Sequence, residues 1–204
     1  LGFSLSGTPN GSEQLAVVPI ANSIFDINGT ASLTSQSNNT VNLFEKVLPT
    51  ISSTALAADN STITATFSES VFKSRSASGT GFAGNGDLEV GDFVLSMSGG
   101  VATLGSATPT SISKSSNAYT LGINYIGLPN GSEIITVIPA QDAIYDNTGN
   151  MASTTQSNNT KTFNSEKIRI AKSLEFETGY AQFLSLLKRD ADTYIAAFMY
   201  NSND

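Results

Sequence analysis

Ser61-Thr62-Ile63-Thr64-Ala65-Thr66-Phe67 alternates polar and apolar residues with a period of two. Successive side chains of an extended strand leave opposite faces, so this spacing puts Ile63, Ala65 and Phe67 on one side and the hydroxyls on the other. The apolar side is expected in a core. Similar short runs lie at about 91–97, 101–107, 118–126, 133–139 and 151–163, separated by Gly, Asn, Asp and Pro, which favour turns. The pattern predicts an all-β fold of antiparallel strands, with one helical turn at Asp142-Ala143-Ile144-Tyr145.

Composition narrows the function. The 204 residues are 39% hydrophobic, enough for a sizeable core, and only 13% charged. Seventeen acidic residues against ten basic ones leave a net charge of −7, which repels nucleic-acid phosphates. The basic residues are scattered, so nucleic acid is not an expected partner. No run of about 18 apolar residues occurs, and membrane insertion of this stretch is not expected. The chain has neither cysteine nor histidine. Without histidine it lacks the usual general base near neutral pH and the commonest zinc ligand. Paired carboxylates could still serve a glycosidase, yet Trp is absent and no aromatic-lined sugar cleft is suggested. The expectation is a non-enzyme.

An internal repeat sets the organisation. Residues 1–44 laid over 121–164 at a constant offset of 120, without gaps, give 19 identities. They include Pro9-Asn10-Gly11-Ser12-Glu13 with Pro129-Asn130-Gly131-Ser132-Glu133, and Gln36 to Thr40 with Gln156 to Thr160. Residues 1–46 are therefore expected to be the C-terminal part of a preceding repeat, and residues 47–165 a complete repeat. Half a repeat cannot bury its apolar face alone. Residues 1–46 are expected to be poorly packed or to lean on the neighbouring repeat, their other half lying upstream in a longer protein.

The tail departs from this pattern. Tyr180, Phe183, Leu184, Leu187, Ala191, Tyr194, Ile195 and Phe198 recur at steps of three and four, the spacing of an amphipathic helix. Residues 166–204 are thus expected to be a separate helical segment.

Thr66-Phe67-Ser68-Glu69-Ser70-Val71, Gly91-Asp92-Phe93, Ser98-Gly99-Gly100, Tyr119-Thr120-Leu121 and Asp146-Asn147-Thr148-Gly149-Asn150 follow one another along the complete repeat. In that order they resemble the immunoglobulin-like repeats of bacterial S-layer and large adhesin proteins. The resemblance implies a seven-stranded antiparallel β-sandwich and a tandem arrangement in an exported chain. It also implies a place on the cell surface, a role in adhesion or spacing, and no catalytic activity.

Related repeats often stiffen their junctions with Ca²⁺, which favours hard oxygen donors in acidic loops. The candidate ligands are Glu69, Asp142 and Asp146, the last opening a turn rich in oxygen-bearing side chains. The competing reading is that Asp and Asn in such turns satisfy their own backbone. Asp87, Glu89 and Asp92 form a second acidic cluster without the spacing of an EF-hand loop, and a solvated loop with Phe93 turned inward is expected there. The leading function is a non-catalytic adhesin or spacer module, with neighbouring repeats, surface glycans or other cells as partners. The alternative is a carbohydrate-binding module that accompanies a secreted enzyme.

Overall fold

The computed structural model describes residues 2–79 and 81–166, with the strand backbones 183–188 and 194–199. In chain order the first thirteen strands are β1 (Gln14–Ala16), β2 (Thr40–Asn42), β3 (Ile51–Leu56), β4 (Thr62–Phe67), β5 (Ser74–Ser78), β6 (Gly81–Asn85), β7 (Phe93–Ser98), β8 (Thr103–Leu104), β9 (Ile112–Ser115), β10 (Ala118–Gly122), β11 (Tyr125–Ile126), β12 (Ile134–Pro139) and β13 (Thr160–Thr162). Every pairing among them is antiparallel. The fold is all-β. Among the described residues no helix is long and apolar enough to cross a membrane.

The alternating stretch 61–67 lies in β4, and its apolar face is buried at Ile63, Ala65 and Phe67. β4 is interior to a four-stranded sheet ordered β3-β4-β10-β9, while β12 is central to a three-stranded sheet ordered β13-β12-β7. The two sheets share one core. Phe67 of β4, Tyr119 of β10 and Phe93 of β7 meet with ring centroids 5.9 to 6.3 Å apart, a spacing at which edge-on and tilted aromatic pairs attract. Ile63 and Leu121 on the first sheet, and Leu95, Ile135 and Val137 on the second, complete its centre. Two ribbons, β5–β6 and β8–β11, flank the sheets.

The 120-residue recurrence extends to the backbone. β1 and β2 pair as Gln14↔Asn42, Leu15↔Val41 and Ala16↔Thr40, and β12 and β13 as Ile134↔Thr162, Ile135↔Lys161 and Thr136↔Thr160. The bridge Phe25↔Ala31 returns as Tyr145↔Met151. Burial does not follow. Val17 and Ile24 are 51% and 56% exposed, whereas their counterparts Val137 and Ile144 are both at 0%. The difference lies in what covers them, since Val137 and Ile144 pack into the core shared with the four-stranded sheet, whereas β1 and β2 pair only with each other.

Two expectations change. Residues 141–143 form a turn and Tyr145 enters a β-bridge, so no helical turn forms at 142–145; the left-handed backbone of Asp142 at φ 56° interrupts any helix there. The expected C-terminal helix is replaced, over its described residues, by strands β14 (Phe183–Lys188) and β15 (Tyr194–Met199), paired from Phe183↔Met199 to Lys188↔Tyr194. Short, nearly continuous apolar runs satisfy three- and four-residue spacing as readily as a period of two, and Tyr, Ile and Phe favour the pleated state. The remainder of 167–204 lies outside the described residues.

Candidate functional site

Glu133 and Asp146 are the two fully buried carboxylates among the described residues, each at 0% exposure. Glu133 ends the Pro129–Glu133 turn, where Asn130 Oδ1 accepts the Ser132 N–H at 2.9 Å. Its Oε2 accepts Asn130 and Gly131 N–H at 3.1 and 3.0 Å, and its Oε1 accepts Val101 and Ala102 N–H at 2.8 and 3.1 Å. The turn that supplies Val101 and Ala102 needs Gly99 and Gly100, whose φ values are 74° and 61°. A Cβ on Gly100 would lie 2.2 Å from the Glu133 carboxyl carbon. Desolvation pushes the carboxyl upward, but the N–H groups of Ala102, Val101 and Asn130 outweigh it and hold the pKa down at about 2. The side chain is therefore an ionised clamp joining two turns about 30 residues apart.

A second carboxylate organises the Asp146–Asn150 turn. Asp146 is buried; its Oδ1 accepts the N–H of Thr148 at 2.7 Å and of Asn150 at 2.8 Å, and its Oδ2 accepts Asn150 Nδ2 at 2.8 Å. The same Nδ2 donates to Glu45 Oε2 at 2.5 Å, and the Thr148 hydroxyl also bonds that oxygen. Glu45 Oε1 in turn accepts the N–H of Val47. One asparagine amide thus ties Glu45, at the end of the first copy, to the Asp146–Asn150 turn. The β5–β6 ribbon backs this turn. Arg75 stacks on Phe82 at 4.5 Å and on Tyr145 at 5.3 Å, and it donates to the Gly149 carbonyl at 3.0 Å.

The three candidate metal ligands are placed as follows. Asp146 has its oxygens engaged as described. Glu69 is half-buried, and burial first, then the charges of Asp146 and Glu45, raise its carboxyl pKa. Asp142 is exposed, and its carbonyl accepts the Tyr145 hydroxyl at 3.0 Å. Glu69 and Asp146 come together, joined by Glu45; Asp142 is not among the charges acting on Glu69. Among the described residues no three Asp or Glu side chains are gathered so as to hold a metal ion. Ca²⁺ takes six to eight oxygens, and a set whose central carboxylate is already spent on N–H groups does not fit it. In the other acidic cluster Glu89 pairs with Lys73 at 2.5 Å and Asp87 with Lys114 at 3.3 Å.

No protein-family model, curated protein or solved structure matches the chain.

What this arrangement does chemically is hold the chain's own backbone: carboxylates receive backbone N–H groups, and side-chain amides span turns. The reading of the residues missed Glu133, Glu45 and Arg75. A signal for the first was present, because Glu is retained at positions 13 and 133 in a chain with few charges. Glu45 has Ser165 at the equivalent position, so the recurrence carried no signal for it.

Proposed function

We propose that the chain is a non-catalytic tandem module of the immunoglobulin-like type, belonging to an exported bacterial surface protein and serving as an adhesin or structural spacer. The observation that carries this reading is the repeat itself: one offset of 120 relates the sequence, the strand register and the turn hydrogen bonds of the two copies. Strand order supports the sandwich type. With the two ribbons set aside, β3, β4, β7, β9, β10, β12 and β13 taken as strands A to G fall into sheets A-B-E-D and G-F-C, the order of a constant-type immunoglobulin domain. Clamps that grip neighbouring backbone suit a load-bearing array better than a ligand cleft.

The test is location and binding together. Antibody against the chain should label intact source cells, and labelling only after permeabilisation would refute the surface role. Saturable binding of the purified chain to a polysaccharide array would replace the spacer reading with the carbohydrate-binding alternative.

A further inference from the structure

The first copy, residues 1–46, presents a strand edge along which nothing pairs among the described residues. Its turn repeats the Glu133 clamp in half: Glu13 accepts the N–H groups of Asn10 and Gly11 at 3.0 and 3.1 Å, and Asn10 Oδ1 accepts Ser12 N–H at 3.0 Å. The two further donors that Glu133 receives, Val101 and Ala102, have no counterpart at Glu13, which is exposed. The strand edge is open in the same place. In β12 the odd-numbered residues bond to β13, as in Val137 N–H to the Asn159 carbonyl, so by alternation the even-numbered ones face β7. Just past β1 the Val17 N–H likewise bonds the Asn39 carbonyl at 2.8 Å, while Gln14, Ala16 and, by continuation, Val18 face an edge along which no strand pairs among the described residues. The apolar face beside that edge, Val17 and Ile24, is more than half exposed.

We propose that residues 1–46 are a docking surface for one kind of partner: a polypeptide segment equivalent to residues 47–120 of this chain. Such a segment adds a β7-like strand to the β1 edge and delivers two backbone N–H groups from a Gly-Gly turn to Glu13. The occupant is identified by the chain itself, because residues 47–120 cover the equivalent face of the complete repeat in a defined register, Thr136↔Ser96 and Val137↔Leu95. The register carries over to Ala16 and Val17. Edge pairing of this type is β-augmentation, in which the main chain supplies affinity and the side-chain pockets supply selectivity. The proposal rests on the internal repeat and is independent of any surface role.

The test is the full chain preceded directly by a second copy of residues 47–120. The extended protein should show a second cooperative melting transition and at least 100-fold slower amide exchange at Ala16 and Val18 than the starting chain. Glu13→Gln should lower that new transition by roughly 10 °C, the shift expected for losing a charge-assisted clamp in a domain of this size, and should leave the melting of the starting chain unchanged. A single transition with fast exchange at Ala16 and Val18 would overturn the proposal. So would a starting chain that already protects these amides as a dimer, since the occupant would then be a second copy.

Discussion

Replacing Glu133 with Gln separates the clamp from the rest of the turn, because the side chain keeps its length and one carbonyl oxygen. That oxygen can still take Val101 and Ala102 N–H, but the new amide NH₂ then faces Gly131 N–H, donor against donor. A fully buried orphaned N–H costs about 1–3 kcal/mol, and the half-buried Gly131 N–H falls toward the lower end. The bonds that remain fall from charge-assisted to neutral strength, roughly half. The combined cost is about 2–4 kcal/mol, which in a domain of roughly 115 residues corresponds to a drop in Tm of about 10–15 °C. Differential scanning calorimetry at pH 7 measures it. Acid adds a sign. Glu133 has a folded pKa of about 2 against an ordinary 4.5, so its contribution is complete above 4.5 and disappears as pH falls toward 2. Wild type should lose its advantage over Glu133→Gln across that window. A Tm at pH 7 within 3 °C of wild type, or an advantage that persists at pH 2, would refute the clamp.

Glu69 titrates with the opposite sign: its raised folded pKa means that the ionised form opposes folding, a cost absent below the ordinary 4.5 that grows as pH rises through the folded value. Glu69→Gln should therefore raise Tm at pH 7 and leave it unchanged near pH 3, and calorimetry at the two pH values checks both. Because the Asp146 oxygens already serve Thr148 and Asn150, Tm should be the same in millimolar Ca²⁺ as in chelator. A rise of several degrees with Ca²⁺ would overturn that assignment.

Where local pattern and tertiary burial agree, the fold was legible. Stretch 61–67 shows its strand through alternation, and Phe93 turns inward as its position demands. The repeat was legible because turn residues such as Asn10 and Asn130 hold their own backbone and tolerate little change. The β5–β6 ribbon was not. Ser74-Arg75-Ser76-Ala77-Ser78 and the glycine-rich stretch after it bury too little to impose a period, and the ribbon is fixed instead by Arg75 and by Gly84, where a Cβ would meet Phe72 at 2.2 Å. In 183–188 and 194–199 the apolar spacing fits both periods, and strands form there instead of the expected helix. The candidate site was half legible. Asp146 announced its turn, whereas the roles of Glu133 and Glu45 depend on donors about 30 and 105 residues distant.

The half-closed clamp at Glu13 also bears on the order in which a repeat assembles. Its bonds to Asn10 and Gly11 span only three and two residues, and they form with β2 alone paired to the strand beside them. In the complete repeat the same short-range bonds hold the Glu133 carboxylate at the mouth of its turn. Bringing Val101 and Ala102 to the carboxylate closes a loop of about 30 residues, at an entropic cost that grows only with the logarithm of its length. The clamp therefore has a local half, closed within three residues, and a long-range half that only Val101 and Ala102 supply.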